Sequence, residues 1–534
     1  MINTQIIHRC RAFVACSALL LSGPAATAYI SLSGGVLQSD GSASDTQAAI
    51  NAAPAGGTVQ IPPGTFTWSS GVTVSGKAVK IRGAGGGRVV GMSASQVSIA
   101  LGAQEFTTSA GGLPISNGQI LTIYRTGGIV SNGNASGIGS MTGIVTSYSG
   151  TSLSLNVTAS LGSSTQSVWI IATQPHTTLV NDTTGNTTSG ALFELNEATN
   201  GSVDLSGLCF TGGTGTADDV VLNYTSGGSP VLVHDCLFLS TTNVDCIFSD
   251  TNRGVIWNCS FAALPFSEAQ LAVHMKGCPA SSWTSPSTMG TADTSGTNNL
   301  YIEDCDFHGW LNATDMDDCS RSVVRHCLFN NAGFGTHGAD TSTYGVRHFE
   351  IYDNTFVFNG FTNGQTLNLN WWCYLRGGTG VITGNVMPHI SSQDYGSKAD
   401  INMTVMNLQR NAGPNPCWGA GHGATGNSYP APRQVGMGYV NGNAGNDSVT
   451  YKGDSEPLYI WNNTGGYQVG TTDYGGTQCS NPDATADYII SGRDYFNNNT
   501  PKPGYQEYTY PHPLRPGQTG ILPTQPGTLN ATSP

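Results

Sequence analysis

Charge is what this chain has least of. Only 10% of its 534 residues are Asp, Glu, Lys or Arg, and Lys occurs six times. The 20 basic residues are outnumbered by 33 acidic ones, for a formal net charge of −13. A protein that holds nucleic acid needs clustered Lys and Arg to meet phosphates. None are clustered here, so no nucleic-acid partner is expected. Long apolar runs are missing too. The run Ala12–Leu21 is about ten residues, half of what a membrane-spanning helix requires, and no later stretch approaches that length, so no membrane span is expected. No C-x-x-C or C-x-x-C-H occurs, which removes the zinc ribbon and the c-type haem.

The first 28 residues read as a signal peptide. Arg9 and Arg11 precede the apolar run, and Ala26-Thr27-Ala28 is an A-x-A cleavage site. The mature chain is expected to begin near Tyr29 and to be secreted, extracellular or periplasmic. Its 71 Gly could suggest disorder, but short β-branched runs recur throughout and indicate many short strands. Thirteen Cys become eleven without Cys10 and Cys16, an odd number that excludes complete internal pairing.

A repeat is written in the Cys and Phe positions. The segments "VLVHDCLF", "GVIWNCSF", "LYIEDCDF", "SVVRHCLF" and "FEIYDNTF" share one pattern: an aliphatic, a variable residue, a small polar residue, Cys or Asn, any residue, then Phe. Phe210, Phe238, Phe261, Phe307, Phe329, Phe356 and Met387 form the ladder, at intervals of 28, 23, 46, 22, 27 and 31. A period of this size, doubled once, marks a solenoid of stacked coils. Val233 and Cys236 both belong to inward ladders although they are three apart, so the chain must bend between them. Asp235, Asn258, Asp304, His326, Asp353 and Gly384 stand at that bend, and they are residue types that tolerate left-handed backbone. Asp353 and His326 are therefore read as corners rather than catalysts. Cys236, Cys259, Cys305 and Cys327, followed by Asn354 and Asn385, should stack inside as buried thiols and amides. Cys236 with Cys259, and Cys305 with Cys327, are the disulfide alternatives if their geometry allows.

The stretch "DTQAAINAAPAGGTVQIPPGTFTW", Asp45–Trp68, resembles the opening of right-handed parallel β-helix proteins of the pectate-lyase-like superfamily. The resemblance implies an all-β, right-handed parallel β-helix solenoid with an N-terminal capping helix, here Thr46–Ala53, and a first strand over Val59–Phe66. It also implies a secreted polysaccharide-active protein. Met141–Ala172 alternates apolar and polar residues and resembles a small antiparallel module of phage tail and other carbohydrate-facing appendage proteins. The expected organisation is 1–28 signal peptide, 29–112 cap and first coils, 113–175 inserted β-module, 176–500 main β-helix and 501–534 Pro-rich tail laid along the solenoid. The polygalacturonase motif set and the pectate-lyase R-x-P-x-x-R are not reproduced, so the reaction must come from residues.

Residues 300–353 hold nine of the 33 acids and four of the 11 His. With corners set aside, Asp315, Asp317, Asp318, His337 and Asp340 remain as catalytic candidates. A 22-residue coil would stack Asp315 beside His337 and Asp318 beside Asp340. Carboxylates stacked at about 5 Å suit a retaining glycoside hydrolase. Two alternatives stand beside it: Ca²⁺ held by the same Asp residues, and plain turn chemistry. No cofactor is otherwise required. A lyase would use Arg325 or Arg347 as base. Outside the corner, His234, Trp257, Glu303, Arg325, Tyr352 and Thr383 should form an outer stripe suited to glycan. Trp371, Trp372, Tyr374 and Arg376 add an aromatic platform, with the two Trp facing opposite sides. A non-catalytic glycan-binding appendage is the competing class.

Overall fold

The structure is a computed structural model that describes residues 29–125, 139–163, 165–166, 168–185, 190–212, 215–240, 245–267, 271–277, 283, 285–339, 344–358, 369–390, 399–406, 429–431, 433–438, 454–473 and 484–516. The expected signal peptide, Asp340 and the end of the tail lie outside the described residues.

Corner residues set the coil. Asp235, Asn258, Asp304, His326 and Asp353 all take φ between 51° and 55°, and Gly384 takes φ 68°. Each turns the chain by one residue between two short strands, so the side chains on either side both point inward. Inside, the Phe rings stack coil on coil at 4.7 Å (Phe210–Phe238), 4.8 Å (Phe238–Phe261), 5.0 Å (Phe261–Phe307), 4.9 Å (Phe307–Phe329) and 4.7 Å (Phe329–Phe356). That spacing is the distance between hydrogen-bonded strands. The doubled interval between Phe261 and Phe307 is a single step of the stack, so the extra residues leave the coil between those rungs.

Strand order proves the solenoid. One thirteen-stranded sheet runs from Ile30–Ser31 through Leu232–His234, Gly254–Trp257, Leu300–Glu303, Arg321–Arg325, His348–Tyr352 and Thr379–Thr383 to Tyr495–Phe496, and its coil-to-coil pairings are parallel. A second, sixteen-stranded sheet supplies two more faces. Asp306–Met316 and Leu328–Thr336 run around the corner between them, pairing with different neighbours at each end. The chain is thus a three-sided right-handed parallel β-helix.

The described Cys residues are all buried and free, so the disulfide alternative is not realised. In the stack, each thiol donates to the carbonyl two residues back, from Cys236 to His234 at 3.2 Å and from Cys327 to Arg325 at 3.2 Å. Where Asn replaces Cys, the amide bridges coils instead: Asn354 Oδ1 accepts from Cys327 N–H at 2.9 Å, and Asn385 Oδ1 accepts from Asn354 N–H at 2.9 Å.

Two expected boundaries differ. The capping helix is Ala43–Ala52, because Ser42 accepts from Asp45 N–H as N-cap and starts it earlier. The first strand is two strands, Thr58–Gln60 and Gly64–Trp68, because Pro62 and Pro63 cannot donate and turn the corner between them.

Two faces of the solenoid are covered. The antiparallel module is six-stranded and takes in Val89–Ser93 and Gly102–Thr107, residues the sequence reading gave to the first coils. It docks on the second face through Val89, Met92, Tyr124 and Ile170 against Leu237, Leu239 and Ala262, with Arg88 paired to buried Asp306 at 2.8 Å. The Pro-rich tail lies on the first face. Tyr508 packs with Trp257, Tyr301 and Tyr352, and Tyr510 donates to Asp304 at 2.6 Å. Among the described residues, no helix is long and apolar enough to cross a membrane.

Candidate active site

The third face carries the acidic cluster. Asp306–Met316 enters it in register with the coil above at a 22-residue offset, Asp306 against Leu328 and Trp310 against Ala332. Past a bulge the offset is shorter: Thr314 pairs with Phe334, and Asp315 with Gly335. Asp315 is therefore not beside His337 in the backbone, as a uniform coil predicts. The side chains meet all the same. His337 reaches back, and its Nε2 lies 2.7 Å from Asp315 Oδ2. Gly335 makes the space, since a Cβ there would stand 2.7 Å from Asp315 Oδ1.

Below Asp315, in register, is His274. Its Nδ1 lies 2.9 Å from Asp245 Oδ2. Above, Arg376 Nη2 approaches His337 Nε2 at 2.5 Å and Asp315 Oδ1 at 3.5 Å, while its Nε donates to Thr336 O at 2.8 Å. Asp245, His274, Asp315, His337 and Arg376 thus climb the face as a column in which carboxylate and imidazole alternate up to the guanidinium.

This column drives two carboxylates apart. Burial alone would lift the pKa of Asp315, but His337, then Arg376 and His274, outweigh it and hold the carboxyl well below the usual range. Asp317 goes the other way. Burial lifts it, Asp318 and Asp315 add to the lift, and His337 only partly opposes them. Burial also works against a charge on His274, yet Asp245 and Asp315 raise its pKa. Met316 between the two Asp residues is fully buried in the core, so strand alternation turns both carboxylates away from it. Asp318 turns the chain at φ 28° and pairs with Lys276 at 3.4 Å. Its expected stacking partner Asp340 lies outside the described residues. Among the described residues no group of three or more His, Cys, Asp or Glu is arranged to hold a metal; the Ca²⁺ alternative drew on Asp340 as the facing ligand, which lies outside them.

The adjacent Trp pair splits as strand geometry requires. Trp372 is buried in the core and donates to Pro388 O at 2.6 Å. Trp371 is half-buried outside, stacked on Tyr374 with centroids 4.2 Å apart, and Arg376 sits over the Tyr374 ring.

The outer stripe needs correction. His234, Trp257, Glu303, Arg325, Tyr352 and Thr383 do stand in register, one per coil. They are buried, and the tail covers Trp257, Glu303, Arg325 and Tyr352. Glu303 accepts from Arg325 and, at 2.8 Å, from Arg515 of the tail. Arg325 also donates to Tyr352 Oη at 2.7 Å and to the carbonyls of Tyr508 and Thr509 at 2.8 and 2.7 Å. A glycan cannot lie where the tail does. Arg325 is equally unfit as a base: burial opposes its charge, but Tyr352 and Glu303 hold its proton more firmly than usual. Arg347 is buried as well, tied to Glu456 at 2.8 Å and set over Trp283.

Asp245, His274 and Lys276 escaped the sequence reading. Asp245 precedes the doubled interval and His274 and Lys276 fall inside it, so counting residues from Phe261 does not bring His274 beside Asp315. The alternation in "AVHMKG" was the available signal.

No family model matches the chain, and no curated protein matches it significantly. Among solved structures it is similar to the tailspike gp61 of Pseudomonas phage phi297 (14% identity over 68% of this chain and 65% of that one, TM-score 0.18). It is also similar to the Geobacillus virus E2 protein ORF18 (12%, 68% and 58%, TM-score 0.28). A third is the tailspike gp49 of Acinetobacter baumannii bacteriophage Fri1, a capsular polysaccharide depolymerase (12%, 85% and 66%, TM-score 0.24). The match spans less than two thirds of the length of each of these three. The fold assignment rests on this chain's own strand order.

Proposed function

We propose that the chain is an exported protein that binds a polysaccharide along its third face and hydrolyses it. Asp317 serves as general acid and Asp315 as the ionised partner. The observation that carries this reading is the opposite drive on two neighbouring carboxylates, Asp315 near the end of its strand and Asp317 just past it. Environments that split a pair of titratable groups in this way assign acid and base. An inverting pair keeps its carboxyl groups roughly 6.5–9.5 Å apart, leaving room for a water between carboxylate and sugar, and Asp315 and Asp317 are assigned to that arrangement. Asp315 would then activate the water while Asp317 protonates the leaving oxygen. The closer, retaining arrangement expected from coil stacking required Asp340.

A lyase is disfavoured because both candidate Arg bases are buried and committed elsewhere. A binding protein without turnover is the second reading, favoured by half-buried Trp371, an aromatic ring held in place by stacking on Tyr374 and of the kind that meets sugar rings. Mass spectrometry of products released from a polysaccharide panel separates the three. Fragments heavier by one water, lost in Asp317→Asn, support hydrolysis. Unsaturated fragments, or release unchanged in Asp315→Asn and Asp317→Asn, overturn it.

A further inference from the structure

The bulge that shifts Asp315 also frees one side chain from the ladder. Between the pairs Trp310–Ala332 and Thr314–Phe334, three residues stand opposite the single residue Gly333. Leu311 and Ala313 turn into the core, and Asn312 is left half-buried on the outside. Bulges of this kind re-aim side chains beside functional sites.

Asn312 reaches across the neighbouring coil, Leu328–Thr336, at a rung made bare by two glycines. A Cβ on Gly333 would stand 2.8 Å from Trp371 O and 3.1 Å from Leu311 O. On Gly335 it would stand 2.7 Å from Asp315 Oδ1 and 3.1 Å from Asn312 Oδ1, so those two side chains fill the space it would need. Over this rung Asn312 Oδ1 accepts from Trp371 Nε1, on the coil beyond, at 3.4 Å. An indole nitrogen can only donate, so the atom facing it is the amide oxygen and the amide nitrogen points elsewhere. Among the described residues that is the sole hydrogen bond of the Asn312 carboxamide, and both N–H donors of Nδ2 stay uncommitted. Asn312 thus stands between half-buried Trp371 and Asp315, with donors to offer. A ring with an amide at its edge gives a sugar an apolar surface for its C–H side and a donor for its oxygens.

We infer that Asn312 is a further polysaccharide-binding residue, donating from Nδ2 to an oxygen of the sugar that lies against Trp371 and so holding the chain beside Asp315. The inference rests on the third face being the polysaccharide site.

The test is affinity electrophoresis of the full chain carrying Asp317→Asn, through gels that each hold one polymer: bacterial capsular polysaccharides, dextran, galactomannan, polygalacturonate or alginate. On the polymer that retains this parent, Asn312→Ala should weaken retention by about tenfold, the worth of one hydrogen bond. Trp371→Phe keeps a ring but loses the N–H. Its loss and that of Asn312→Ala should fall short of adding in the double variant, because the indole N–H acts through the carboxamide. Variants are compared below their unfolding temperatures, and Asn312→Leu, of similar volume, stands in where Ala does not fold. In the chain with Asp317 intact, Asn312→Ala should raise KM by the same factor and leave kcat within about twofold, as lost ground-state binding does. Full retention in Asn312→Ala, strictly additive losses, or a fall in kcat at constant KM overturns the inference, and so does retention by no polymer. A polymer held through Asn312 but never cut sinks the hydrolase and leaves this inference standing. A polymer cut with uptake of water, its KM unmoved in Asn312→Ala, does the reverse.

Discussion

Asp315 and His337 touch at 2.7 Å although their backbones are out of register by two residues. A bulge in the strand Asp306–Met316 moves the carboxylate along the face, and the imidazole follows it. The contact is therefore a side-chain choice within a shifted ladder rather than a product of coil counting, and its consequences are electrostatic.

If Asp315 must be ionised and Asp317 protonated, turnover falls below the depressed pKa of Asp315 and again as pH rises through the raised pKa of Asp317. Asp315→Asn and Asp317→Asn should each lower kcat by about 10²–10⁴, the usual weight of one acid or base group. His337→Ala removes the chief support of Asp315 and should move the acidic limb of the pH–rate profile upward. An acidic limb that stays in place would refute that role for His337.

Removing Arg325 leaves Glu303 buried beside Arg515 alone. Arg325→Met should cost about 3–5 kcal/mol, as breaking a buried ion pair does, and should loosen the tail. The folded variant should keep its wild-type kcat, measured below its unfolding temperature. Loss of turnover in a folded Arg325→Met would instead revive the lyase reading.

His234 lies between two carboxylates, with Nδ1 2.6 Å from Asp235 and Nε2 3.1 Å from Asp204. Burial opposes its charge, but those partners raise its pKa to about 9 from 6.5. A raised folded-state value stabilises the protein fully below pH 6.5 and loses that contribution as pH climbs through about 9. The difference in unfolding free energy between wild type and His234→Gln should shrink by about 3 kcal/mol across that window. Denaturant unfolding at a series of pH values reads it directly, and a difference independent of pH would contradict the ion-pair account.

Asn385 joins three coils. Its Oδ1 accepts from Asn354 N–H and Nδ2, and its own Nδ2 donates to Ile351 O at 3.0 Å and to Asn463 Oδ1 at 2.8 Å. Asn385→Ala orphans several of these at about 1–3 kcal/mol each. Chemical denaturation should show a loss above 2 kcal/mol, and Asn385→Asp should recover little, because it cannot donate to Ile351 O.

Much of the fold was legible in the chain. The left-handed corners were named by Asp, Asn, His and Gly standing just before each Cys or Asn, and the Phe interval supplied the coil. The site was legible only in part. Asp315, Asp317, His337 and Arg376 were named and do converge. The partner expected for Asp315 was right for the wrong reason, since the bulge left no compositional mark. His274 and Asp245 were hidden by the residues inserted between Phe261 and Phe307. The outer stripe was correctly registered and wrongly taken as open.

By itself, then, the sequence determined the coil: which residues turn it, which stack inside it, and that a Pro-rich tail cannot be an interior strand. These are local matters of backbone freedom and side-chain alternation, written in each repeat. Tertiary structure alone decided what packs on each face. The module occupies one, the tail's Tyr508 and Arg515 seal another over Glu303 and Arg325, and the acidic column stands on the third. The tail reaches residues 180 or more positions away, and such distances leave no trace in any short stretch of the chain.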